Sequence, residues 1–293
     1  MHMPSLTRTA TQAAVFALLT AAGNAQAQWL VGITSSNQIT RFDVAAPGAA
    51  TSTAITGLDA GDRFVGLDLR PSNNTLYGLT LSNRIYTLNE FTGAATFVAA
   101  LSTPVLGASQ GWGLDFNPVA DFAGASSLRL VGAGGGNYAI NVSTGAVTTA
   151  TPVAAGYTGV AYTNSSSAGA PASTGLYYIN SGNDSLGFAA TGFNNPSIAT
   201  VGALGLDVLS ANGFEVLANG MAYAALNVDG GSLVTGLYGV NLATGAAMRL
   251  GEFNGTLSGL TVSAVPEPGS YALMLAGMGV LGLVARRRQA RTR

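Results

Sequence analysis

The chain has 293 residues, of which 48% are hydrophobic, 9% are charged and 40 are glycine. Glycine at that frequency cuts the apolar segments into short pieces, which suits many short strands and tight turns and argues against long helices. All 12 basic residues are Arg, and between Gln28 and Ala264 only 6 of them face 12 carboxylates, so this acidic stretch lacks the clustered cations that a nucleic-acid partner requires. There is no Cys, hence no disulfide and no thiolate metal site, and the one His is His2.

The chain opens on "MHMPSLTRTATQAAVFALLTAAGNAQAQW". Arg8 precedes an apolar run from Ala13 to Ala22, and Ala25 and Ala27 frame a small-residue cleavage pattern. This predicts a secretory signal helix over residues 1–27, cut after Ala27. Removing it removes His2, so the exported chain has neither a Ser-His-Asp apparatus nor an imidazole zinc site.

The body, residues 28–264, repeats. Units begin at Gly66 ("GLDLRPSNNTLYGLTLSNRIYTLNEFTGAAT"), Gly113 ("GLDFNP…") and Gly213 ("GFEVLA…"), with a degenerate copy at Gly159 ("GVAYTN…"); the leading glycines are 47, 46 and 54 residues apart. Thr-Gly turns at Gly93, Gly145, Gly192 and Gly245 keep step with them. Within a unit, short runs such as "GLDLR", "LYGLT" and "IYTLN" alternate apolar and polar residues, the period of half-buried strands, and "PSNN" and "LSNR" are turn chemistry. Four strands in about 45 residues is the pattern of a propeller blade. "WLVGITSSNQITRFDVAAPGAATSTAI" from Trp29 matches the second to fourth strands of a unit, and "GLTVS" from Gly259 matches the missing first. The expectation is an all-β, five-bladed β-propeller closed by its own N- and C-terminal strands, with a β-sandwich as the alternative. A ring of this kind removes exposed sheet edges. The phrases "GLDLRP", "LYGLT", "IYTLN" and "TGAAT" resemble the uncharacterised domain-of-unknown-function 4394 family, a resemblance that brings no activity with it.

The last segment, 265–293, carries Pro266, Glu267 and Pro268, then 18 residues without formal charge from Pro268 to Ala285, then Arg286, Arg287 and Arg288. A helix of that length covers about 27 Å, enough for a bilayer core, and its prolines mark its start. The arginines stay on the cytoplasmic side, so the sequence predicts a C-terminal transmembrane helix with the body outside. This tripartite end closely resembles the PEP-CTERM sorting signal of Gram-negative bacteria. The resemblance implies an exosortase-type partner acting near Pro266–Pro268, transient anchoring in the inner membrane, and residence in the envelope or exopolysaccharide matrix.

Candidate chemistry rests on carboxylates. Asp68, Asp115 and Glu215 each stand two residues after a leading glycine, where the degenerate copy has Ala161. If first strands line the axis, the three gather near one end, to hold Ca²⁺ through hard oxygen ligands, to polarise a glycosidic bond, or simply to tie down their own turns. "DAGD" with Arg63 reads as a solvated turn and "GAGGG" (132–136) as a plain one. Tyr77, Tyr86, Tyr138, Tyr177 and Tyr238 read as packing between blades, with sugar stacking as the functional alternative. The expected function is a non-catalytic, surface-directed propeller that binds envelope or polysaccharide components and needs no cofactor; the competing class is a carboxylate- or metal-dependent hydrolase of extracellular glycans or lactones.

Overall fold

The structure, a computed structural model, describes residues 28–107, 111–230, 234–264 and 277–278. Its strands form five four-stranded antiparallel sheets. The first comprises β1 (Trp29–Thr34), β2 (Gln38–Asp43) and β3 (Thr51–Ala54), with β20 (Leu257–Val262) on the inner side of β1. The others run outward in chain order: β4 (Phe64–Arg70), β5 (Thr75–Thr80), β6 (Arg84–Leu88) and β7 (Ala95–Ala100); β8 (Trp112–Phe116), β9 (Leu128–Gly132), β10 (Asn137–Ile140) and β11 (Val147–Thr149); β12 (Tyr157–Tyr162), β13 (Leu176–Asn180), β14 (Ser185–Ala189) and β15 (Ala199–Ala203); and β16 (Val208–Val216), β17 (Ala222–Val228), β18 (Gly236–Val240) and β19 (Ala247–Glu252).

Each inner strand packs against the next, β4 on β8, β8 on β12, β12 on β16, β16 on β20 and β20 on β4, which closes the ring. The chain is the five-bladed propeller that its split repeat implies, and the closing blade is formed by the pairs Leu30 with Val262 and Gly32 with Leu260. The Ser263 N–H extends that ladder by donating to the Trp29 carbonyl at 3.1 Å.

Burial falls from the axis outward. All five residues of β8 are buried, whereas β3 and β19 are largely exposed. There is accordingly no single core but a layer between each pair of blades: Tyr77 and Leu79 meet Leu114 and Phe116, and Ile179 meets Phe214 and Val216. Tyr77, Tyr86 and Tyr238 are buried in these layers, consistent with packing.

The leading glycines are where inner strands touch. A Cβ on Gly113 would lie 2.7 Å from the Val160 backbone nitrogen, and one on Gly213 would lie 2.5 Å from that of Leu260. Real Cβ atoms do not approach backbone so closely, so these positions admit only hydrogen. The Thr-Gly turns have a different cause: Gly93, Gly145, Gly192 and Gly245 have φ between 70° and 85°, the left-handed region that glycine enters without cost. Three of these turns are capped by Asn89, Asn141 and Asn241, whose side-chain oxygens each accept two backbone N–H groups.

The propeller residues 28–264 pack as one unit. The expected signal helix lies outside the described residues, as does the expected membrane span apart from the helical residues 277–278. Among the described residues no helix is long and apolar enough to cross a membrane.

Candidate functional site

Inner strands of a propeller run the same way, so residues at one repeat position come to one level of the axis. Asp68 in β4, Asp115 in β8 and Glu215 in β16 do so: all three are buried, with carboxylate oxygens within 4.8 Å of one another. Ala161 in β12 and Thr261 in β20 hold the two remaining positions.

The hydrogen bonds pass from blade to blade. Phe116 N–H donates to Asp68 Oδ2 (2.7 Å), Tyr162 N–H to Asp115 Oδ1 (3.1 Å), Val262 N–H to Glu215 Oε2 (3.3 Å) and Leu69 N–H to Thr261 Oγ1 (3.1 Å). Each donor is the residue just after the equivalent position in the next blade. The four side chains thus form a clasp around the axis that secures neighbouring blades, while Asp68 Oδ1 also accepts from Leu69 N–H on its own strand (2.7 Å), and Ala161, with no acceptor, is its gap.

Thr261 adds a constraint on protons. Its Oγ1 lies 2.7 Å from both Asp68 Oδ1 and Glu215 Oε2 while accepting from Leu69 N–H. A hydroxyl has one proton and can donate to only one of the two. For both contacts to be hydrogen bonds, the other carboxyl must itself carry a proton. Burial points the same way: it is the main cause that holds Asp68 well above the ordinary carboxylate range, with the charge of Glu215 second. Asp115 is likewise raised by burial and then by the charges of Asp68 and Glu215, and Glu215 is raised by burial against the opposing hydrogen bonds of Thr261 and Val262. Geometrically, oxygens this close could also converge on a cation with bonds of 2.3–2.6 Å.

Several other acidic residues have structural partners. Asp121 belongs to α1 (Pro118–Phe122), whose N-terminus is capped by Asn117, and it fixes Arg70 (2.6 Å), Ser72 N–H and the Ser127 hydroxyl. Asp59 of "DAGD" pairs with Arg84, and Asp62 accepts from Arg63 N–H and Ser82 N–H. "GAGGG" is the turn between β9 and β10.

Sequence reasoning missed two residues. Thr261 stands two after Gly259, as Asp68 stands two after Gly66, so the repeat frame did contain that signal. Glu90 had none: it is buried, pairs with Arg41 (2.8 Å), and accepts from the Ser263 hydroxyl (2.7 Å) and Ala264 N–H (3.1 Å). With Asn74 Nδ2 donating to the Ala264 carbonyl (2.7 Å), it anchors the strand end from which the sorting segment departs.

A family profile described as a domain of unknown function (DUF4394) matches residues 38–261, most of the propeller. The chain belongs to this family. Behind the DUF4394 body, residues 264–289 match the PEP-CTERM protein-sorting motif. The match takes in Pro266, Glu267, Pro268 and Arg286–Arg288, whose placement lies outside the described residues. The motif implies an exosortase-type processing partner and indicates export and sorting to the cell envelope.

No curated protein matches the chain. Among solved structures, the DUF4394 propeller is similar to a calcium-binding regucalcin from Agrobacterium tumefaciens (12% identity, 77% of this chain and 73% of that one, TM-score 0.41). It is also similar to a chain of a nidogen/laminin complex (11%, 80% and 98%, TM-score 0.48) and to a putative 6-phosphogluconolactonase from Bacteroides uniformis (10%, 78% and 82%, TM-score 0.42). Likeness at 10–12% identity concerns the fold alone.

Proposed function

We propose that this protein is an exported propeller that acts by binding, as a component of the cell envelope or of an extracellular polysaccharide matrix. On this reading residues 1–27 are a removed signal, and 268–285 hold the chain in the inner membrane until the tail is processed. The observation that carries the non-catalytic half is the use made of Asp68, Asp115 and Glu215. They are the one cluster of metal-ligating side chains among the described residues, they are 2–4% exposed, and their oxygens are engaged by backbone amides of neighbouring blades and by Thr261. A carboxylate committed in this way is a structural fastener, not an acid or base within reach of a glycan.

Deleting 266–293 is expected to shift the protein from the envelope fraction to the periplasm or medium while leaving the body folded. Unchanged retention overturns the sorting half. The hydrolase class requires that Asp68→Asn or Glu215→Gln abolish a turnover without moving Tm. A change in Tm with no turnover to lose is the outcome expected here.

A further inference from the structure

The clasp occupies one end of the axis; the other end is open. The inner strands begin around a cavity of ≈ 240 Å³, lined from four blades by residues that include Ser35, Arg63, Trp112, Asn212, Asn227 and Ser258. Trp112 precedes Asp115 by three residues, so this mouth lies roughly 10 Å along the axis from the carboxylates.

The lining includes no carboxylate, although the body is acidic. Arg63 is its one charge. Arg41, Arg70, Arg84 and Arg249 each pair with an Asp or Glu, whereas Arg63 has no salt bridge among the described residues. The remaining groups are weighted toward donors. Asn227 Oδ1 already accepts from the Thr235 hydroxyl (2.8 Å), which leaves its amide N–H groups to offer. Trp112 is 8% exposed, and its buried indole N–H has no hydrogen-bond partner among the described residues. An indole N–H normally finds a partner when buried, because an orphaned donor is costly. A guanidinium and a free amide around one small hollow call for a ligand rich in acceptors and negative in charge.

We propose that the axial mouth formed by Arg63, Trp112, Asn212 and Asn227 binds a compact carboxylate bearing hydroxyl groups, of the size of a single sugar acid. Size sets the upper bound, since ≈ 240 Å³ falls below the ~300–1,000 Å³ of sites for drug-sized ligands. Charge sets the class: Arg63 engages the carboxylate in a two-pronged contact, and Asn212 and Asn227 take hydroxyl or ring oxygens. The inference deepens the binding function proposed above and rests on it.

The test is calorimetric titration of the purified full-length chain with galacturonate, with galactose as the neutral counterpart and tryptophan emission as a second readout. Galacturonate is expected to bind at least tenfold more tightly than galactose, more weakly as salt increases, and with a change in emission. Arg63→Ala, a substitution at an exposed residue, is expected to weaken galacturonate at least tenfold with Tm unchanged. Equal binding of the two sugars, no binding of either at millimolar concentration, or an Arg63→Ala variant that binds as well as the parent overturns the assignment. Those failures leave the envelope-retention result for the 266–293 deletion intact, so loss of the site and loss of the exported-binder reading are separable.

Discussion

Replacing Asp115 with Asn tests the axial clasp directly. The carboxamide oxygen keeps the bond from Tyr162 N–H, so the inter-blade link survives while one ionisable group leaves the cluster. Two unit charges 4.8 Å apart repel by about 3–4 kcal/mol at an effective dielectric of about 20. The folded protein avoids part of that repulsion by retaining protons, and so loses stability with pH instead. The raised Asp68, Asp115 and Glu215 carboxyls bind protons more tightly folded than unfolded. Their contribution is complete below the unfolded value of ~4 and is lost as pH rises toward the raised folded values. Asp115→Asn is therefore expected to raise stability by about 1–3 kcal/mol at pH 8, roughly 3–9 °C in Tm, and to change it by less than about 0.5 kcal/mol at about pH 3. Thermal melts of parent and variant at the two pH values, in chelator, provide the measurement. A variant less stable at pH 8, or a difference equal at both pH values, refutes the account of shared protons.

Gly113→Ala pushes a Cβ into the Val160 nitrogen and is expected to cost about 1–3 kcal/mol in urea unfolding; a neutral result would mean that β8 and β12 can separate freely. Glu90→Gln weakens the holds on Arg41, Ser263 and Ala264 and should speed amide exchange over 257–264 with little effect in the third blade, which hydrogen-exchange mass spectrometry resolves. Calcium distinguishes a cation from protons at the clasp: with protons in place, millimolar Ca²⁺ at pH 8 shifts Tm by less than about 1 °C, whereas a rise of several degrees reassigns the three carboxylates as ligands.

The ring was legible because a repeat writes its geometry several times. Gly66, Gly113, Gly159, Gly213 and Gly259 recur wherever inner strands touch, and the split unit at Trp29 and Gly259 follows from the same frame. Asp68, Asp115 and Glu215 could be grouped by their shared repeat position, but their hydrogen-bond partners could not, since each acceptor reaches the next blade. Arg63 and "DAGD" looked like one solvated turn; nothing local told that Arg63 would line the axial mouth while Asp59 turned to Arg84. Glu90 was silent for the same reason: its partners at Ser263 and Ala264 lie 173 and 174 residues away.

The pairing of β1 with β20 also orders events in time. The first blade lacks its innermost member until the final one is made, so a growing chain exists as an open arc with two unpaired margins until residue 262 is available. Joining Ser263 to Trp29 with a short linker and opening the chain between two blades, such as between Thr149 and Tyr157, would deliver every blade whole. Such a rearranged chain is expected to reach the same ring with faster refolding and less aggregation on the way.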